Sequence, residues 1–197
     1  AVIHFAGSTK IAESLVDPLK YYRNNTAKTL TLIEACVAHG VGGFIFSSTA
    51  SVYGRPEQVP VSESAMVNSI TPYGASMAMS ERILADAAAT HALATVTLRY
   101  FNVAGADPDG RAGEIGKPTH LIKVAAQIAV GARDEDLQIY GDDYPTPDGT
   151  AIRDYVHVSD LAEAHMQALA RVRASGESIT LNCGYGRGYS VYEVVDA

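Results

Sequence analysis

Short apolar runs alternate along this chain with longer stretches in which apolar residues recur every three or four positions, a pattern of strands alternating with helices. Val2-Ile3-His4-Phe5, Phe44-Ile45-Phe46 and Thr95 to Tyr100 are brief, β-rich and bounded by polar or glycine turns, and they predict buried strands of a parallel sheet. Between the first two, Asp17-Pro18 reads as an N-cap with a first-turn proline and Gly40 as a stop. Leu19, Tyr22, Thr26, Leu30, Ile33 and Val37 then form one predicted buried stripe. Thr71-Pro72 opens a second helix running to about Ala92, with Ile83, Leu84 and Ala87 as apolar anchors and with Met77 and Met79 as further core candidates. Tyr73 and Met77 lie one turn apart on one face of it.

After Asn102 the composition changes to glycine, proline and aspartate. Helices are predicted over Leu121 to Gly131, over Ser159 to Ala174 with Ser159 as N-cap, and after Ser190. Strands are predicted over Leu137 to Gly141 and Leu181 to Gly184. The fold class is therefore α/β: part of a doubly wound parallel sheet over residues 1–102, and part of a smaller α/β lobe over 103–197 whose strands and helices return to the sheet.

Composition changes this picture little. At 197 residues, 47% hydrophobic and 19% charged, the chain has material for one good core. A net charge of −7 argues against a nucleic-acid or anionic membrane surface, and no apolar run nears the ~20 residues of a bilayer span. Cys36 and Cys183 have no metal-ligand spacing and suggest buried, reduced thiols of a cytoplasmic protein; His157 and His165 also lack a spaced partner and read as structural, so no metal is expected. The chain opens without Met inside a strand and closes inside a helical pattern, as an internal piece of a longer protein would.

Candidate chemistry collects between Phe44 and Met77. The strand ends in Ser47-Ser48-Thr49, delivering hydroxyls to the carboxyl edge of the sheet, where open α/β sheets place their ligands. A hydroxyl ending a strand and a tyrosine opening the next helix resemble the active site of the extended short-chain dehydrogenase/reductases, whose pattern continues Tyr-x-x-x-Lys. Here Met77 stands at the lysine position. Val2 to Gly7, Ser48 to Gly54, Leu98 to Asn102 with Gly105-Ala106-Asp107-Pro108, and Asp143 to Thr150 through Arg153-Asp154-Tyr155-Val156-His157-Val158 narrow the likeness to the UDP-glucose 4-epimerase family, over essentially the whole chain, which implies that the sheet is Rossmann-type and that residues 103–197 are part of a substrate-binding lobe.

That resemblance implies NAD as cofactor and UDP-glucose or UDP-galactose as substrate. It makes Tyr73 the general base and Thr49 its hydroxyl partner, and it implies cofactor contacts at Phe5, Ala6, Gly7, Asn25, Ser47, Ser48, Tyr73, Tyr100 and Phe101. Asn24 lies beside Asn25, and a lysine that the family often places beyond Gly7 is Thr9 here, with Lys10 one step off register. Substrate contacts are implied at Thr49, Asn102, His120, Leu121, Tyr140 and Arg153, with Thr119-His120 replacing an asparagine pair. Arg153 suits a pyrophosphate because its guanidinium is a fixed fork of donors, although Arg153-Asp154 also reads as a local ion pair. A homodimer through helices 17–40 and 72–92 is implied as well.

Met77 cannot lower the tyrosine pKa as an ammonium would, so impaired activity is expected. The glycine-rich turn that wraps a dinucleotide pyrophosphate is missing, and Gly184-Tyr185-Gly186-Arg187-Gly188 reads as a loop. Two other readings stand beside epimerisation: a catalytically silent UDP-sugar binder, and a sugar-nucleotide dehydratase. The dehydratases place acids just after the threonine, where this chain has Ala50 and Ser51.

Overall fold

A computed structural model describes residues 1–115 and 120–197. The chain forms two compact units, one of residues 1–100 with 163–183 and one of residues 101–162 with 184–197.

In the first unit, β1 (Val2–His4), β2 (Gly43–Thr49), β3 (Ala94–Tyr100) and β6 (Ile179–Cys183) make a parallel sheet in the order β1-β2-β3-β6. All seven residues of β2 are buried, which fits an apolar run in a strand covered on both faces. Because side chains alternate along a strand, Phe44 and Phe46 face one layer and Ile45 the other. The phenylalanines pack with Ile33 and Cys36 of α3 (Lys28–Ala38) and with Tyr73, Met77 and Leu84 of α4 (Pro72–Thr90). Ile45 packs with Val96, Leu98, Ala168 and Val172, the last two from the helix over Val158–Ser175. Helices on both faces of a parallel sheet are the doubly wound arrangement expected from the sequence.

The helix after Asp17 is less regular than its apolar spacing suggests. A short helix α1 (Ile11–Val16) leads to α2 (Pro18–Tyr21), where the Asp17 carboxylate accepts from Lys20 N as N-cap. A π-helical turn, Tyr22–Ala27, joins α2 to α3. The buried face is Tyr21, Asn25, Thr29, Ile33 and Cys36, so the predicted stripe is corrected upstream of Ile33, and Leu19 and Leu30 are exposed. A wide π turn carries more residues per revolution and moves the inward face by one position. The inward polar groups have partners: Thr29 Oγ1 lies 2.9 Å from His4 Nε2.

In the second unit, β4 (Asn102–Ala104) pairs in parallel with β5 (Arg153–His157), and β5 pairs antiparallel with β7 (Gly188–Tyr189). Helix α5 is Leu121–Ala129, and α7 (Val191–Asp196) begins with a capping box of Ser190 and Glu193. Buried Thr150 accepts Val191 N at 3.0 Å and donates to Asp148 at 2.8 Å, tying the 142–150 loop to α7.

Three further expectations are corrected. Residues 137–141 form no strand; a segment punctuated by Gly141 and flanked by Asp134, Asp136, Asp142 and Asp143 has few side chains to bury. The helix here named α6 starts at Val158, one residue before the predicted cap Ser159. Met79 on α4 is exposed rather than core, whereas Met77 is buried.

Candidate active site

The carboxyl end of β2 and the first turn of α4 meet through small groups. Thr49 Oγ1 accepts Ser51 N at 3.1 Å, starting a 3₁₀ turn over Ala50–Tyr53. Thr71 Oγ1 accepts Gly74 N at 3.2 Å, capping α4, and Pro72 occupies its first turn. A Cβ on Gly74 would lie 2.5 Å from the Ser51 carbonyl oxygen and 2.2 Å from Ser69 Oγ, so only glycine allows the helix start to press this closely on the turn after Thr49. The approach brings the Tyr73 phenol near enough to the Thr49 hydroxyl for that hydroxyl to favour the phenolate.

Tyr73 is buried, and burial pushes its phenol above the usual range while Thr49 pulls the other way. No cation contributes to that balance. Met77, one turn along α4, packs in the same apolar cluster as Tyr73 and Tyr21. Lys10 is exposed, and its carbonyl accepts the Tyr21 hydroxyl at 2.6 Å. At the end of β3, Tyr100 is pushed up to about 12, chiefly by burial and then by the nearby Tyr73, against a hydrogen bond from Ser47.

Asn25 is buried on the π turn, with Nδ2 donating to Ser8 O and to Ser76 Oγ, both at 3.0 Å, and Oδ1 accepting Ser8 N at 2.7 Å. Asn24 Nδ2 donates to Ser8 Oγ at 3.1 Å, and Ser76 Oγ reaches the Tyr73 carbonyl at 2.7 Å. The loop after β1, the π turn and the first turn of α4 therefore form one hydrogen-bonded unit. Phe5, Ala6 and Gly7 are exposed at its edge.

Sequence reasoning missed the polar brace behind this edge. Arg99 of β3 donates from Nε and Nη2 to both oxygens of Glu81 on α4 at 2.6–3.1 Å, and both side chains are 9% exposed. Ser48 also donates to Glu81, Arg99 Nη1 donates to Tyr53 OH at 2.9 Å, and Tyr53 OH donates to Asn182 at 2.7 Å. The available signal was an arginine inside an apolar strand and a glutamate two turns beyond Tyr73.

In the second unit, Phe101 leads into Asn102, which lies opposite Tyr155 on β5, two residues from Arg153. Arg153 is exposed and donates to the Ile152 carbonyl at 2.7 Å. Asp154 instead accepts Tyr185 N at 3.1 Å and Gly186 N at 2.8 Å, so the local pair suggested by the sequence is not made. His120 is the residue before α5 and Leu121 is its first residue; His120 helps line a cleft of about 640 Å³ with Asp107, Arg111, Glu114 and Ser159. The Tyr140 side chain is 84% exposed and makes no hydrogen bond or ring contact among the described residues. Thr119 lies outside the described residues. No cluster that could hold a metal ion occurs among the described residues, and none of their helices is long and apolar enough to cross a membrane.

The carboxyl ends of the parallel strands β2 and β3 thus bear hydroxyls and adjoin a tyrosine at a helix start. The chain belongs to the NAD dependent epimerase/dehydratase family, whose sequence profile matches residues 1–184. It is 60% identical over 196 residues to a UDP-glucose 4-epimerase of Azospirillum brasilense, covering 99% of this chain and 56% of that one. The structure of UDP-glucose 4-epimerase from Brucella ovis in complex with NAD is similar at a TM-score of 0.94 and 48% identity, over 100% of this chain and 60% of that one. The Bifidobacterium longum enzyme in complex with NAD+ and UDP is similar at a TM-score of 0.90 and 43% identity, over 99% and 59%. The chain thus spans less than two thirds of the length of these relatives.

Proposed function

We propose that this chain is part of a UDP-glucose 4-epimerase, with the parallel-sheet unit holding the nicotinamide half of NAD and residues from Asn102 onward holding the UDP-sugar. The observation that carries the reading is the placement of Thr49 at the end of β2 and of Tyr73 in the first turn of α4, pressed together through Gly74, in a chain whose relatives are epimerases over its whole length. The donor set fits a nicotinamide nucleoside: exposed Phe5, Ala6 and Gly7 follow β1, neighbouring β2 and β3 end at Ser47 to Thr49 and at Tyr100, and Tyr73 opens α4, while the buried Ser48 hydroxyl is taken up by Glu81. Asn25 serves this edge by holding Ser8 in place. NAD, when bound, supplies the acceptor and donor of hydride at sugar C4.

Tyr73 removes the proton of the C4 hydroxyl as hydride leaves and returns it when hydride comes back on the other face. Thr49 donates to the phenolate oxygen and steadies it. Asn102, His120, Leu121, Tyr140 and Arg153 hold the nucleotide, with Arg153 on the pyrophosphate; engagement of Asp154 by the 185–186 backbone supports that role by leaving the guanidinium without a carboxylate. Ala50 and Ser51 in the turn after Thr49 carry no acid for dehydration. Exposed Leu30 on α3 and Met79 on α4 favour a homodimer through these helices, and the free thiols Cys36 and Cys183 favour a reducing, cytoplasmic setting.

Met77 favours a second reading, a UDP-sugar binder with little turnover. A tyrosine of pKa about 10 is phenolate in only roughly one molecule in a thousand at neutral pH, and burial of Tyr73 lowers that fraction further. The experiment is epimerisation of UDP-galactose with added NAD by a chain extended to its relatives' length, carrying Met77 or Lys. Turnover at least ~100-fold higher with Met77→Lys is expected. Equal turnover would mean that another group activates Tyr73, and no turnover in either, with UDP still bound, would select the silent binder.

A further inference from the structure

His165 of α6 is 3% exposed, and its imidazole joins two strand ends. Its Nε2 lies 2.6 Å from Ser47 Oγ, and its ring centroid lies 4.6 Å from that of Phe5 at a tilt of 35°. One side chain thus reaches both the residue that follows β1 and the carboxyl end of β2. An apolar side chain could fill the same space. It could not orient a hydroxyl that is itself only 5% exposed, and a buried hydroxyl with a fixed partner offers its remaining donor or acceptor in one direction. Phe5, by contrast, is 63% exposed, an aromatic ring backed by His165 and otherwise open.

We propose that His165 is a positioning residue for the cofactor, fixing the Ser47 hydroxyl and the Phe5 ring in the arrangement that binds the nicotinamide end of NAD. The inference rests on the reading that Phe5 and Ser47 contact NAD. It gives α6 a task beyond covering the sheet. It also divides the imidazole into two separable parts, a ring against Phe5 and a nitrogen against Ser47.

The test uses the chain extended to its relatives' length, with NAD affinity read by equilibrium dialysis and UDP affinity by calorimetry. His165→Phe keeps a ring and loses the nitrogen; His165→Gln keeps a polar atom near the Nε2 position and loses the ring. His165→Phe should weaken NAD about 10-fold, on the scale of one lost hydrogen bond, and lower the melting temperature by a few degrees through the unpaired Ser47 hydroxyl, His165→Gln should keep NAD affinity within about 3-fold, and UDP affinity should hold in both. Unchanged NAD affinity in both variants would overturn the proposal. So would a parallel fall of NAD affinity, UDP affinity and melting temperature, which would mark His165 as structural only. If the unsubstituted chain binds no NAD, the assignment of the cofactor itself fails, and that result is separate from either variant outcome.

Discussion

The first unit buries seven consecutive residues of β2 and surrounds Tyr73 with partnered polar groups, whereas in the second unit α5 contains no fully buried residue, β7 has two residues and Tyr140 stands 84% exposed. Around the Thr49–Tyr73 pair the geometry is fixed by internal packing, and no buried side-chain nitrogen or oxygen among the described residues lacks a hydrogen-bond partner. The nucleotide-binding candidates Asn102, His120, Tyr140 and Arg153 are instead displayed on short strands and loops. Candidates in the first unit are thus held by packing, whereas those in the second unit are held mainly by their own short segments.

The contrast breaks most directly at Arg99. Arg99→Met leaves the Glu81 carboxylate buried without its partner and should cost about 3–5 kcal/mol, read as a lowered midpoint in urea unfolding. A loss below 1 kcal/mol would mean that the first unit does not depend on this brace.

A second effect concerns alkaline pH. Tyr100 titrates at about 12 in the folded chain against about 10 when unfolded, so the unfolded state loses its proton first as pH rises. Stability is whole below pH 10 and declines as pH approaches 12, by about 2–3 kcal/mol for this group. Tyr100→Phe should remove that part of the slope in unfolding measured from pH 9 to 11.5, and an unchanged slope would contradict the burial assigned to Tyr100.

Smaller again is the cap of α4. Thr71→Ala removes the acceptor of Gly74 N and should cost about 1 kcal/mol in thermal unfolding. Smallest is Tyr140→Ala, expected to change stability by no more than about 0.5 kcal/mol by the same measurement. If Tyr140→Ala weakened UDP binding with stability intact, the contrast between the two halves would sharpen.

The sheet and the pair at its edge were legible because their signals are local. Ser47-Ser48-Thr49 closes an apolar run and Thr71-Pro72 announces the helix that carries Tyr73, so sequence order and spatial order agree. Arg99 and Glu81 were not legible, since eighteen residues separate them and only the pairing of Ser48 with Arg99 across β2 and β3 brings the carboxylate between them. Residues 137–141 misled for the opposite reason: Leu137, Ile139 and Tyr140 have strand-like character, but no neighbouring strand pairs with them. The stripe after Asp17 misled because hydrophobicity was counted and Asn25 and Thr29 were not, though their partners let them face inward.

The π turn at Tyr22–Ala27 acts as a phase shifter between two halves of one rod. Upstream it keeps Tyr21 inward and downstream it keeps Ile33 and Cys36 inward, a combination that a uniform α-helix through the same residues would not hold. Deleting a single residue from the turn would let it close as an ordinary α turn with the two halves near their present phase, whereas inserting one into a regular turn there would rotate one half by about 100° against the other. The turn therefore absorbs the loss of one residue better than the gain of one, and melting curves of a one-residue deletion and a one-residue insertion would display the difference.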